Sequence, residues 1–146
     1  MPKRVVLAVG LPGSGKSTWF ERQGIVPLSS DALRLLLADD ITEQRFQDAI
    51  FAALRYLLEL RLQLDRPVTY IDATNLTVAE RAPYIRIAQQ YGAEVEAIYF
   101  DVPLAVCQER NRARGRVVPE DAMLRLAERL VPPTLGEGFS KIATIR

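Results

Sequence analysis

The 146-residue chain has no histidine and only one cysteine. Without imidazole there is no histidine general base, no Ser–His triad and no histidine metal ligand. Proton transfer must therefore fall to Asp, Glu, Lys or Tyr. Cys107 has no partner for an intramolecular disulfide, which suits a reducing compartment and sets the expectation of a cytoplasmic protein. Charge of one sign is also lacking. Nineteen Lys and Arg against eighteen Asp and Glu leave a net charge of +1, so a polyanion could be held only by a local patch. Long hydrophobic runs are missing as well. Met1-Pro2-Lys3-Arg4 leads into six apolar or small residues before a Gly/Pro turn, too few for the apolar region of a signal peptide. No run approaches the length of a membrane span, so no membrane partner is expected.

What is present suits one compact domain over 1–146, with 49% hydrophobic and 25% charged residues. Val5–Val9 is a continuous apolar run without alternation, as in a strand buried on both faces of a parallel sheet. A helix follows over Lys16–Arg22, ended by Gly24. Ile25–Leu28 reads as a second strand, and Ser29-Ser30-Asp31 as a cap cluster before a helix over Ala32–Ala38. Thr42 opens the longest helix, with Phe46, Ile50, Ala53, Leu54, Leu57 and Leu58 at helical spacing. Val68–Ile71 is a third strand. Thr77 and Glu80 have capping-box spacing for a helix ended by Gly92, in which Pro83 predicts a kink or a late start. Glu94–Phe100 is a fourth strand, Leu104–Asn111 a helix, and Arg110–Arg116 an arginine-rich interruption. Pro119 suits the first turn of a last helix reaching about Leu130, and Lys141–Ile145 a final strand. Strands alternating with helices predict a three-layer α/β domain, a P-loop NTPase fold with a central parallel sheet of about five strands.

The most informative segment is Gly10-Leu11-Pro12-Gly13-Ser14-Gly15-Lys16-Ser17, which matches G-x-x-x-x-G-K-[ST] at every fixed position. It follows a buried strand and opens a helix, the context the motif requires. Backbone N–H groups of such a loop wrap a polyphosphate, and its glycines let the chain approach without Cβ clashes. The helix N-terminus adds partial positive charge. Gly10, Pro12, Gly13, Ser14, Gly15, Lys16, Ser17 and Thr18 are thus the candidate ATP-binding residues. Lys16 is placed to reach the β- and γ-phosphate oxygens and Ser17 to ligate Mg²⁺.

Further residues point from binding toward phosphoryl transfer. Asp31 follows the second strand, and Arg34 lies three residues on, on the same helix face. A carboxylate at that end of a doubly wound sheet can accept a hydroxyl proton, and an arginine beside it can hold a phosphate. An Asp there is equally a helix cap. Asp72 closes the third strand, where a carboxylate either helps hold Mg²⁺ or makes an Asx turn. Arg110, Arg112, Arg114 and Arg116 fall at every second residue beside Gly115, so a lid over about 110–118 could bring an arginine to the transferring phosphoryl group. For Arg112 a solvated loop position is the preferred reading. No residue stands out for positioning a hydrolytic water. Trp19 and Cys107 read as packing residues.

Taken together, Gly10–Trp19, Ser30-Asp31 with Arg34, Asp72-Ala73-Thr74-Asn75-Leu76, Phe100-Asp101-Val102-Pro103 and Arg110-Asn111 with Arg114-Gly115 and Val118-Pro119 resemble the kinase domain of 5′-OH polynucleotide kinases. The phage polynucleotide kinase and the kinase modules of bacterial RNA-repair enzymes belong to that family. The resemblance runs from about residue 5 to about residue 140. It implies transfer of the γ-phosphate of ATP to the 5′-OH end of DNA or RNA, with Mg²⁺. It implies Asp31 as general base, Arg34 on the acceptor's neighbouring phosphate, and Arg114 as the lid arginine with Arg110 nearby. It also places Glu137-Gly138-Phe139 near the adenine end. Family enzymes often carry a phosphatase or ligase domain, for which this chain has no room, so fusion to or cooperation with other repair enzymes is implied. Two rival readings remain open. One is a kinase of small molecules (a sugar, an antibiotic or a nucleotide), and the other a non-catalytic ATP-binding module.

Overall fold

The computed structural model describes residues 2–114 and 118–146. Its sheet has five strands, β1 (Arg4–Val9), β2 (Leu28–Ser29), β3 (Val68–Asp72), β4 (Glu94–Phe100) and β5 (Lys141–Ile145). They lie in the order β2-β3-β1-β4-β5, and every neighbouring pair is parallel. Arg4 is in register with Val68 on one side and with Glu94 on the other, so β1 is central. Among the described residues six α-helices connect the strands: α1 (Lys16–Gln23), α2 (Ser30–Ala38), α3 (Gln47–Gln63), α4 (Val78–Gln90), α5 (Leu104–Ala113) and α6 (Glu120–Arg129).

The continuous apolar run of β1 is explained by burial on both faces. Side chains alternate along a strand. Val5, Leu7 and Val9 pack with Leu54, Leu58 and Leu62 of α3 and with Tyr84, Ile85 and Ala88 of α4. Val6 and Ala8 pack on the opposite side with Phe20 of α1 and with Ile98 and Phe100. Trp19 sets its ring edge-on against Phe20 and Phe100, at 5.2 and 6.1 Å between centroids, confirming a packing role. A third cluster of Leu11, Leu76, Cys107 and Met123 seats α5 and α6 beside the carboxyl ends of the strands. The connections after β1 and β3 open there, at the crevice where doubly wound sheets bind ligands.

Some element boundaries differ from the sequence expectation. The longest helix starts at Gln47 rather than Thr42. Asp40 Oδ1 accepts from the Thr42 N–H and hydroxyl at 2.8 and 2.6 Å, and Glu43 Oε1 accepts from the Arg45 N–H at 2.9 Å. Side chains thus take the amides that a helix would use. The second strand forms at Leu28–Ser29 rather than Ile25–Leu28, because Pro27 offers no N–H to the ladder. Helix α4 begins without delay at Val78 and runs through Pro83. The Thr77 hydroxyl caps it by accepting from the Glu80 N–H at 3.1 Å, while Glu80 accepts from the Leu76 N–H at 3.1 Å. Helix α5 continues past Asn111, whose buried amide donates to Val118 O at 2.7 Å and accepts from Val118 N at 2.9 Å. These two bonds staple the base of the arginine-rich segment. Gly115, Arg116 and Val117 lie outside the described residues, and with them the lid role considered for Arg116.

Candidate active site

The loop from β1 to α1 is shaped by steric limits. Gly10 N donates to Thr74 O at 3.0 Å, tying the loop's start to the segment after β3. Gly13 has φ 81°, and a Cβ there would lie 2.6 Å from the Cys107 carbonyl oxygen on α5. Gly15 has φ 97° and occupies the N-cap of α1 with no side-chain capping bond. The first turn of α1 also carries no acid, as in α5, whereas α2, α3, α4 and α6 carry Asp31, Asp48, Glu80 and Glu120 with Asp121. The positive end of the α1 dipole is therefore left for an external anion. Ser14 is buried within the loop, and Ser14 N donates to Leu11 O at 3.1 Å.

Lys16 is a buried cation. Its Nζ donates to Gly10 O and Leu11 O, both at 2.9 Å, with Ser14 Oγ at 3.5 Å. Burial pulls the ammonium pKa down to about 8, opposed by the nearby charges of Asp72, Cys107 and Asp31 and reinforced by Arg114. Ser17 Oγ donates to Asp72 Oδ2 at 2.9 Å. Burial raises the Asp72 pKa, countered by Lys16 and the Ser17 bond. Among the described residues no group of three or more His, Cys, Asp or Glu forms a metal cage. A hydroxyl and a single carboxylate are instead the hard-oxygen donor set that suits Mg²⁺, which keeps waters and takes substrate phosphates as its other ligands.

A cavity of about 740 Å³ continues from this point, lined by Pro12, Lys16, Ser17 and Asp72 on one side and by Asp31 and Arg34 on another. The capping bond of α2 is made by Ser29, whose Oγ accepts from Ala32 N at 3.1 Å. Asp31, half-exposed, accepts from Arg34 Nη1 at 2.7 Å. Arg34 is 5% exposed, donates through Nη2 to Gln47 Oε1, and its buried Nε has no partner among the described residues. Gln47 in turn donates to Gln44 Oε1 at 3.1 Å. Gln47, Phe51, Arg125 and Arg129 also line this cavity, and none of them was marked in the sequence. Their only signals were helical spacings that surface residues share.

A second cavity of about 300 Å³ lies against the loop, lined by Gly13, Gly15, Lys16, Thr18 and Arg110 among others. Arg110 Nη1 donates to Gly13 O at 3.4 Å. Arg114 lines both cavities. Arg112 instead pairs with Glu120 at 2.8 Å, both side chains substantially exposed. Asn75, at φ 48°, is buried and donates to Ala8 O at 2.8 Å, tying the β3 loop to β1. Glu137, Gly138 and Phe139 line neither cavity. Phe139 is in the main core, and Glu137 pairs with the fully buried Arg81, which the sequence reading missed.

A five-stranded parallel sheet carrying this loop at its central strand is a P-loop NTPase architecture, in the variety seen in kinase-like phosphotransferases. The chain belongs to the AAA domain family, whose profile matches residues 5–133. Among curated proteins it is similar to the L-seryl-tRNA(Sec) kinase of Methanococcus maripaludis, with 23% identity over 136 residues, 88% of this chain and 53% of that one. It is also similar to the bifunctional polynucleotide phosphatase/kinase of Schizosaccharomyces pombe, with 26% identity, covering 98% of this chain and 33% of that protein. The chain thus spans about half or less of the curated relatives it matches. Among solved structures, a chain of the Pnkp1/Rnl/Hen1 RNA repair complex superposes with a TM-score of 0.73 and 25% identity, over 88% of this chain and 44% of that one. No helix among the described residues is long and apolar enough to cross a membrane.

Proposed function

We propose that residues 1–146 form one kinase domain, with a lid at about 110–118, that transfers the γ-phosphate of ATP to the 5′-hydroxyl end of DNA or RNA. One observation carries this reading: Asp31 and the buried Arg34 share a single cavity with Lys16, Ser17 and Asp72. A hydroxyl placed beside Asp31 would face the phosphate tail held by the loop. Asp31 takes the hydroxyl proton as its oxygen attacks phosphorus, and ADP leaves with the electron pair of the broken P–O bond. Arg34 orients the acceptor through its neighbouring phosphate, with an Nε still lacking a partner among the described residues. The Lys16 ammonium and backbone N–H groups of the loop at Gly13, Gly15, Lys16, Ser17 and Thr18 hold the donor phosphates, with Gly10, Pro12 and Ser14 shaping the turn, and Arg114 with Arg110 offsets their charge from the α5 side. Ser17 and Asp72 would hold Mg²⁺, which when bound neutralises phosphate charge. The two curated relatives described above are named as a kinase of L-seryl-tRNA(Sec) and a polynucleotide phosphatase/kinase, so each name carries a nucleic-acid-bearing substrate, and a nucleic-acid acceptor uses the cationic side of this cavity better than a neutral sugar would. The reading includes a cytoplasmic location and cooperation with other nucleic-acid repair enzymes.

A cavity of about 740 Å³ is also within the range of small-molecule sites, which favours a small hydroxyl acceptor as the second reading. An acceptor screen with labelled ATP separates the two. Rapid transfer to 5′-OH oligonucleotides is expected. Transfer to a sugar or nucleoside but to neither DNA nor RNA ends would replace the proposal. Asp31→Ala should lower turnover by about 10²–10⁴-fold while ATP binding persists. Unchanged turnover would remove Asp31 from the general-base role, whereas ATP binding with no transfer to any acceptor, in wild type and variant alike, would favour a non-catalytic module.

A further inference from the structure

The cavity does not end at Arg34. Its far wall is α6, which contributes Ala122, Arg125, Leu126 and Arg129. The remaining face of that helix is anchored, with Met123 fully buried and Leu126, Ala127 and Leu130 packed against the cluster under the loop. Arg125 and Arg129 are one helical turn apart, on a fixed edge that borders the cavity, and about 6 Å apart along the axis. That rise is comparable with the separation of successive phosphates along a strand.

Each guanidinium has one carboxylate partner among the described residues. Arg125 Nη1 donates to Asp121 at 2.9 Å, and Arg129 Nη2 donates to Glu80. Both arginines are more than half exposed in these pairs. Such exposed pairs are weak, and a guanidinium has further donors for an arriving phosphate. With a net charge of only +1, the chain cannot attract a polyanion as a whole, so a local stripe of this kind is required. A small acceptor would reach Asp31 and Arg34 and leave the α6 edge unused.

We infer that Arg125 and Arg129 form a phosphodiester track that holds the acceptor strand beyond its first phosphate, leading its 5′ end to Asp31. The track reads charge and not base identity, so DNA and RNA share it. It rests on the polynucleotide reading of the site given above.

The test is anisotropy of 3′-labelled, 5′-OH DNA and RNA oligonucleotides of about ten nucleotides, titrated between about 50 and 200 mM salt. A 5′-OH nucleoside 3′-monophosphate serves as the short acceptor. The wild type should favour the oligonucleotide. The R125A/R129A double variant should lose about tenfold of that preference, and its log–log salt slope should be shallower by about 1.4, near 0.7 for each lost phosphate contact. R125K/R129K keeps the charges and should keep most of the slope. Melting curves report whether each variant is folded. A folded R125A/R129A protein with wild-type slope and length preference overturns the track. So does a wild type that binds and phosphorylates long and short acceptors equally well, which would leave the kinase reading standing. Transfer to small hydroxyl compounds alone would remove the polynucleotide reading and the track together, leaving a small-molecule kinase.

Discussion

Lys16 Nζ lies 2.9 Å from the carbonyl oxygen of Gly10, so a buried ammonium folds back on the backbone of its own loop. Burial holds its pKa at about 8, below the ordinary 10.5. Two pH effects of opposite sign follow. Between about 8 and 10.5 the unfolded chain binds more protons at this residue than the folded one. The stability of the ligand-free protein should therefore gain from Lys16 as pH rises through that window, and carry the full penalty below it. ATP binding should go the other way. A polyphosphate favours the charged lysine, so binding takes up a proton near pH 8 and weakens above it, by up to about tenfold per unit. Calorimetry in buffers of different ionisation enthalpy reads the proton uptake directly. Asp72→Asn removes a charge that supports the ammonium, so the break should move to lower pH. A pH-independent ATP affinity up to pH 10 would contradict the assignment of Lys16 to the phosphates.

Gly13 is the point where the loop touches α5. At φ 81°, with a Cβ position 2.6 Å from the Cys107 carbonyl oxygen, an added methyl meets backbone that cannot rotate away. Gly13→Ala should cost about 1–3 kcal/mol of stability and weaken ATP binding, because the loop must shift to relieve the contact. Gly24 provides the control. It too is left-handed, at φ 68°, but its Cβ position is open, so Gly24→Ala should cost only about 1 kcal/mol and leave ATP affinity alone. Denaturant melts and ATP titrations of the two variants make the comparison. Equal ATP affinities in both would separate the loop geometry from binding.

The parts of this site that the sequence displayed are those where chemistry and steric limits fall on contiguous residues. Gly10–Thr18 is legible because each glycine and Lys16 answer to one short stretch of backbone. The parallel sheet is legible because Val5–Val9 has no polar face to show. Arg34, by contrast, is placed by its helical spacing from Asp31, but its burial depends on Gln47 arriving from the start of α3. That start is not legible in the sequence, since the Asp40–Thr42 and Glu43–Arg45 bonds are local exceptions to a helical pattern. Arg125 and Arg129 look like ordinary i, i+4 surface residues until α6 is set across the cavity. Glu137 was visible as part of a Glu-Gly-Phe tail, but its use was not, because its partner Arg81 lies 56 residues earlier.

That pair makes the most demanding stability prediction. Arg81 is fully buried and donates through Nε and Nη2 to the two Glu137 oxygens at 2.8 and 3.0 Å. Its Nη1 reaches Asn75 O, Leu76 O and Val131 O at 2.9–3.1 Å. One side chain thus clamps the segment after Asp72 to the chain that leaves α6. Arg81→Met removes the counter-charge of a buried carboxylate, which keeps only its Thr134 donors, and takes one donor from each of three carbonyls, of which Leu76 O keeps the Val131 N–H; it should cost about 3–5 kcal/mol. Arg81→Met with Glu137→Leu removes both charges, so the double variant should be more stable than the sum of the single losses implies. Burial works to raise the Glu137 pKa, but the Arg81 and Thr134 hydrogen bonds overcome it and hold the group below its usual 4.5. A depressed carboxyl stabilises above its unfolded pKa and loses that contribution as pH falls through the folded one. Glu137→Gln should accordingly flatten the acid side of the stability curve below pH 4.5, as well as lowering its plateau. Additive losses in the double-mutant cycle, with an unchanged acid limb, would show that the clamp is held by its backbone contacts and not by the ion pair.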